Sequence, residues 1–528
     1  MKKIFKSYIT LIIALSIAIL NGCTKLDETV YSEIVVGNFV ATQNDLPSLM
    51  IPVYTPLRSL MAGYKHLFEV NEESGDAMIT PVRPNGWGGI KWLHLHEWTS
   101  TLDMNSNIWA KCYLGINSAN RVIYQIESGS VPVASGKANI IAELKTARAF
   151  YYYILLDHFG NVPIVTDFSD ATLPKQSTRQ QLYDFVVKEL NDNLSLLSVN
   201  VDRLTYGKFN KWAAKATLAK IYLNAGVYTG TQQWDKCIAE CNDIINQANT
   251  KSSYGLEAKY KDIFKTNNEN SKELVFAIPY DDIFATENNI HMKTLDPLMQ
   301  QVFSMEVQPW GGSCAVPQFI NTYDKDDSRL KDTWFQGWQY NAVTGQPVIN
   351  YVNTVASMDL AGNNEGYRIG KYEIRMGAKN CLSNDFPVFR YADILMMKAE
   401  CLLRTGNAND AAALVTQVRQ RNFASNPAKA VVTGADLLSG SSYNYAYWNN
   451  GTYTQIQGGA DIQYGRFLDE LGWEFAAEAH RRPDMIRFGV FTTKIWFQHK
   501  TSSKDKIIFP IPQAELNKNP NLKQNPSY

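Results

Sequence analysis

The chain has 528 residues, with 51 Lys+Arg against 51 Asp+Glu, 45% hydrophobic and 19% charged residues. Its first 22 residues carry Lys2, Lys3 and Lys6 and no acid, so the rest holds 48 basic against 51 acidic residues, a net charge of −3. This excludes a nucleic-acid binder held by bulk positive charge, and the composition excludes a disordered or fibrous chain. At ~150 residues per domain the length suggests three to four domains, although helical-repeat bodies can run this long as one unit.

The basic start is followed by an uncharged run over residues 9–20, of signal-peptide length and too short to span a bilayer. Leu20-Asn21-Gly22-Cys23 then resembles a bacterial lipobox, which implies cleavage before Cys23 and acylation of its thiol. Residues 24–38 are polar and without clear periodicity, as a tether should be. No later segment is apolar enough to span a membrane. Cys112, Cys237, Cys241, Cys314, Cys381 and Cys401 are too scattered for a disulfide scaffold. Cys237 and Cys241, four apart on a predicted helix, read as small core-facing residues.

Helical periodicity dominates the body. Residues 139–158 place Ile140, Leu144, Ala147, Tyr151, Ile154 and Leu155 on one stripe, stopped by Gly160 and Pro163. Residues 210–224 and 234–247 read as a helix pair broken at Gly226–Gly230. Residues 391–404 and 409–421 repeat that design around Gly406-Asn407, with Ala399, Ala411 and Ala412 where the helices must approach. These hairpins resemble tetratricopeptide units. The expected fold is all-α: a tetratricopeptide-like helical hairpin scaffold. It carries long irregular insertions at residues 75–101, 281–380 and 424–465, rich in Gly, Asn, Pro, Ser and aromatics. Loops of this length on a rigid scaffold are where binding surfaces are built.

Five segments together resemble the SusD/RagB outer-membrane lipoproteins of Bacteroidota. They are residues 109–123, beginning Trp109-Ala-Lys-Cys-Tyr; Glu143–Pro163; Phe389-Arg-Tyr-Ala-Asp-Ile-Leu395 with Ala399-Glu400; Glu474–Gly489; and the closing Phe509-Pro-Ile-Pro-Gln513 with residues 519–526. Pro483 departs from that pattern between Arg482 and Asp484. The resemblance implies residues 1–22 as signal peptide, 23–40 as acylated Cys23 and tether, 41–270 as an N-terminal helical-repeat region and 271–528 as the C-terminal region with inserted loops. It also implies a surface-exposed, lipid-anchored protein of the outer membrane. Such a protein captures an oligosaccharide, or in some members a peptide, and delivers it to a SusC-like TonB-dependent transporter. It performs no chemistry and needs no cofactor.

Sugars present apolar faces rimmed by hydroxyls, so aromatic platforms with planar polar neighbours hold them. Four of the 12 tryptophans fall between residues 87 and 109. The segment from Asp76 to Trp92 resembles a ligand loop of glycan-binding members, which carries over Arg83 and Trp87, then Asn85 and Trp92. Gln308-Pro-Trp-Gly-Gly312 supplies Trp310 as a second platform, with Gly311 where relatives often have Asn. Trp109 is expected in the core, and Trp98 is open between core and site. Trp334, Trp338 and Gln339 are expected to pack a turn. The segment 443–453 with Trp448 is a third, weaker candidate.

Two enzymatic readings compete. Glu474 and Glu478 lie four apart on a helix, a spacing compatible with the two carboxylates of a glycosidase, but the neighbouring Arg481, Arg482, Asp484 and Arg487 favour a structural ion-pair network. Glu69, Glu72, Glu73 and Asp76 form a further acidic run. His94-x-His96-Glu97 could place two imidazoles on a strand face, without a third metal ligand.

Overall fold

A computed structural model of the chain describes residues 42–528. Cys23, the signal segment and the tether lie outside the described residues. The helical scaffold begins with α1 (Leu46–Ala62) and α2 (Leu67–Glu72), then α3 (Asp103–Glu127), α4 (Lys137–His158) and α5 (Arg179–Asn193). A second series follows: α6 (Lys211–Leu223), α7 (Trp234–Lys251), α8 (Tyr391–Arg404) and α9 (Ala408–Arg419). In space, α3 packs on α1 and α4, and α4 on α5; α7 likewise packs on α6 and α8, and α8 on α9. Chain neighbours are space neighbours, as in stacked hairpins.

Particular residues allow these approaches. On α3, a Cβ at Gly115 would sit 2.2 Å from the Tyr151 ring of α4. Glycine there lets Tyr151 bury completely and donate to Val53 O of α1 at 2.6 Å, tying three helices together. α6 starts where the Asn210 side chain accepts from Trp212 N and Ala213 N, at 3.0 and 2.9 Å. Every residue of α6 from Trp212 to Leu223 is buried, so the helix runs through the centre of its group. Lys215, buried with it, reaches Glu240 of α7 at 2.7 Å. The turn between α8 and α9 uses Gly406 at φ +88, and Ala399, Ala411 and Ala412 are buried at the contact. Residues 225–229, expected as a break, instead form a one-turn helix, because Val227, Tyr228 and Gly230 all find carbonyl partners four or three residues back. Pro483 falls in the first turn of α11 (Arg481–Arg487), where helix N–H groups have no partner to lose.

Gln43–Tyr528 form one compact unit, and the expected boundary at 270/271 falls inside it. The three insertions contain only short helices and eight of the ten strands among the described residues; all ten pair in two-stranded antiparallel sheets. β1 (Met78–Ile79) of the first insertion pairs with β3 (Cys314–Ala315) of the second, Met78 opposite Ala315. β2 (Leu274–Ile278) pairs with β8 (Phe386–Arg390), β4 (Trp334–Phe335) with β7 (Arg368–Ile369), β5 (Gly337–Tyr340) with β6 (Pro347–Tyr351), and β9 (Tyr447–Asn449) with β10 (Thr452–Thr454). The β1–β3 pairing brings the two tryptophan-bearing loops side by side.

Beneath the insertions lies a buried ionic core. Glu474 of α10 (Gly465–Phe475) accepts from Arg390, Arg421 and Arg329 at 2.7, 2.7 and 2.9 Å. Glu478 accepts from Arg390 Nε at 2.8 Å and from Lys371. Burial alone would push the Glu474 carboxyl up, yet Arg421, Arg390 and Arg329 hold it far below the usual carboxylate range. The pair is thus structural, with partners other than those expected from proximity in sequence. Arg481 pairs with Asp76, Arg482 with Asp157, and Arg487 with Glu400 and Asp484. The six described cysteines are buried free thiols.

Candidate functional site

The site is assembled from three stretches. Residues 81–90 form a tight loop in which Arg83 N donates to Trp87 O, Gly86 N to Arg83 O, and Ile90 N back to Thr80 O, at 3.0, 3.1 and 2.8 Å. Trp87 N donates to Asn85 Oδ1 at 3.1 Å, fixing the turn that presents the indole. Residues 309–313 are strapped to the short helix Ile290–Thr294, with Trp310 N on Met292 O at 2.9 Å and Ser313 N on Lys293 O at 3.1 Å. The third stretch is the end of α1, where Tyr64 follows the helix-ending Gly63 and Lys65 turns through φ +62.

Tyr64 joins the two tryptophans. Its ring centroid lies 5.8 Å from that of Trp87 and 5.6 Å from that of Trp310, both tilted, at 53° and 56°. All three rings are half-buried, so each keeps an accessible surface. Trp310 rests on a cluster that includes Met292, Leu295, Met299, Ile349 and Tyr351. A Cβ at Gly312 would meet the Trp87 indole at 2.5 Å, so glycine is what lets that ring settle over residues 310–313. Burial, then Glu69, Glu73 and Asp103, push the Tyr64 hydroxyl up to about 12, so it stays a neutral donor. Below, Lys293 pairs with buried Glu69.

The glycine at 311 has a positive reason. Its φ is +68, and a Cβ there would meet Asn85 Nδ2 at 2.5 Å. Asn85 occupies that space, half-buried, with Nδ2 3.4 Å from Gly311 O. A carboxamide therefore stands beside the tryptophans, but it comes from the first loop.

Arg83 is placed otherwise than expected of a ligand contact. It is 2% exposed, and its Nε, Nη1 and Nη2 donate to Gly312 O, Gly362 O and Cys314 Sγ at 2.8, 2.5 and 3.1 Å. Burial, with Arg368 nearby, pushes its pKa down to about 10. Arg83 braces the two loops against each other from beneath. Trp92 is half-buried on the one-turn helix Lys91–His94 and makes no ring contact with Trp87, Trp310 or Tyr64. Trp98 is core, 2% exposed and bonded to Tyr528 Oη at 2.6 Å, and Trp109 is core at 5%. Trp334 is buried as expected, whereas Trp338 is 54% exposed.

In the third candidate segment, Tyr443 and Tyr445 are buried, their hydroxyls on Asp76. Trp448 and Tyr453 lie 5.0 Å apart on the β9–β10 hairpin, half-buried, with the Trp448 indole donating to Ala356 O. The acidic run Glu69, Glu72, Glu73 and Asp76 is buried. His94 and His96 lie on a helical turn and a left-handed residue, not a strand, and pack with His499 in a ring cluster. Both His96 nitrogens are engaged, by Ser502 Oγ and Ser74 O.

Tyr64 was not singled out by the sequence. It is one of 28 tyrosines and carries no motif of its own; the aromatic immediately after a helix-ending glycine is its only local signal.

Fold and site together define a helical-hairpin protein that displays an aromatic surface on inserted loops. The chain belongs to the SusD family: residues 223–528 match the SusD family model, and residues 40–223 match the family described as "Starch-binding associating with outer membrane". Among curated relatives, SusD-like protein P25 of Formosa agariphila is 24% identical, with 94% of each chain covered. Starch-binding protein SusD of Bacteroides thetaiotaomicron is 23% identical over 88% of this chain and 86% of its own. Among solved structures, a laminarin-binding SusD-like protein superposes with TM-score 0.70 at 20% identity, over 92% of this chain and all of its own. Surface glycan-binding protein A from Bacteroides thetaiotaomicron in complex with laminarihexaose gives 0.69 at 19%, with the same coverage. The family carries association with the outer membrane, and its members bind rather than catalyse. Among the described residues, no helix is long and apolar enough to cross a membrane.

Proposed function

We propose that the chain captures an oligosaccharide on the surface formed by Trp87, Trp310 and Tyr64, with Asn85 at its edge, and delivers it to a SusC-like TonB-dependent transporter. Acylated Cys23 would hold it on the exposed face of the outer membrane. The observation that carries the reading is the convergence of Trp87 and Trp310, 223 residues apart, on Tyr64. The rings offer apolar faces to sugar C–H groups, and Asn85 offers a planar hydrogen-bonding group. The names of the relatives, which bind starch and laminarin, support a glycan over a peptide. A glycan screen of residues 24–528, followed by chain-length analysis of each bound ligand after long incubation, tests this. Binding with unchanged chain length is expected. Binding confined to peptides, or shortening of the glycan, would overturn it.

A further inference from the structure

The described residues hold all 12 tryptophans, and 11 of them are buried or half-buried. The exception is Trp338, 54% exposed on β5, and two residues on stands Tyr340, 53% exposed. Burial alternates along Gly337–Tyr340 with Trp338 and Tyr340 the exposed pair, and the register shifts by one residue between Gln339 and Tyr340. Gln339 and Gly337 face the other way, opposite Ile349 and Tyr351, which are buried. Asn350 is opposite Trp338 in register, so its carboxamide shares the outer face.

Neither Trp338 nor Tyr340 stacks on another ring of the described residues, and the Tyr340 hydroxyl and Asn350 carboxamide have no protein partner there. The hairpin beneath them is nevertheless fixed. Asn341 Oδ1 accepts from Val343 N and Thr344 N at the turn, and Ala342 N reaches Gln301 O at 3.1 Å. An exposed Trp–Tyr pair is normally hidden by collapse; here the backbone holds it out.

Two chemistries take exposed Trp and Tyr on a fixed hairpin: a lipid interface or a sugar chain. Residues 336–351 contain no charged side chain and five amides, Gln336, Gln339, Asn341, Gln346 and Asn350. A lipid-binding element would offer Lys or Arg to headgroups. An uncharged surface of aromatics and amides fits neutral hydroxyls. The hairpin is also continuous with the first site. Its inner face, Ile349 and Tyr351, belongs to the same cluster on which Trp310 rests.

We propose that the outer face of the β5–β6 hairpin, Trp338, Tyr340 and Asn350, is a second carbohydrate platform that takes a neutral polysaccharide extending beyond the Trp87–Trp310 site. This rests on the glycan reading of that site. A chain that reaches both platforms gains avidity, and a short oligosaccharide does not. The test is native-gel retardation of residues 24–528 in laminarin, soluble starch, arabinoxylan and galactomannan. Homogalacturonan serves as the acidic control, and calorimetry with the trisaccharide of the retarding polymer follows. W338A/Y340A should weaken polysaccharide binding about tenfold or more while leaving trisaccharide affinity and melting temperature unchanged. W310A should lose both ligands.

Wild-type-like retardation of W338A/Y340A, or retardation of the wild type by homogalacturonan alone, would overturn the proposal and leave the first site standing. Loss in W338A/Y340A with none in W310A would sustain this platform and overturn the first. Loss of sedimentation with phosphatidylethanolamine vesicles, with polymer binding intact, would assign the hairpin to lipid. A wild type retarded by no gel would overturn both readings.

Discussion

Gly312→Ala tests the seat of Trp87 without touching an aromatic ring. The new Cβ would lie 2.5 Å from the indole Cε2 and Nε1 and 2.9 Å from Cδ1, where ordinary contact begins near 3.4 Å. The indole must withdraw by about 0.9 Å, and a crowded substitution of this kind costs about 1–3 kcal/mol of stability. Withdrawal tilts Trp87 away from Tyr64, so the two tryptophans no longer present one surface. A stacked face of ~50–100 Å² contributes on the order of 1–2 kcal/mol at ~25 cal/mol per Å², so losing its alignment should weaken glycan binding about tenfold. Gly88→Ala is the control, since nothing lies within 4 Å of its Cβ; affinity and melting temperature should both stay at wild type. Calorimetry and thermal melts on the two variants decide. If G312A binds glycan as the wild type does, the Trp87 position is irrelevant to the ligand and the reasoning fails.

Three further outcomes are expected. Glu474→Gln should cost ~3–5 kcal/mol, because Arg329, Arg390 and Arg421 keep their buried charges with one partner weakened; a chemical melt with a midpoint at wild type would contradict it. Burial pushes His499 down to about 3 and His158 to about 4, below the ~6.5 of an exposed imidazole. The unfolded chain then binds the extra protons, so this stability is complete above about pH 6.5 and is lost as pH falls towards 3. Melting temperature should therefore drop between pH 7 and pH 4, and less so in His499→Phe. Cys23→Ala should abolish fatty-acid labelling and release the protein from the membrane fraction; equal labelling of both forms would refute the anchor.

The helical scaffold was legible because its signals are local. Residues 391–404 were bounded as the structure has them, since a 3.6-residue stripe ending before Gly406 leaves little choice. Trp87 and Trp310, picked out by loop composition and motif, come together on Tyr64. What was not legible depends on long-range placement. Tyr64 acquires its role only when loops 223 residues apart close around it. Arg83 points beneath the loops because the carbonyls that receive it lie 229 and 279 residues away. Trp338 was expected to pack a turn, and its exposure follows from the β5–β6 register, which turns Gln339 rather than Trp338 towards the cluster. The partners of Glu474 come from 53 to 145 residues upstream, not from the arginines next to it.

The central claim is that Trp87 and Trp310 hold sugar and do not hold the fold. Trp87→Ala and Trp310→Ala, each measured for glycan affinity by calorimetry and for melting temperature, test it most directly. The account predicts affinity weakened about tenfold or more in each, with melting temperature close to wild type, because both residues keep part of their surface accessible in the free protein. A core tryptophan would instead cost ~3–5 kcal/mol of stability on truncation. Lower melting temperatures with unchanged glycan affinity would assign both residues to packing and contradict the proposed site.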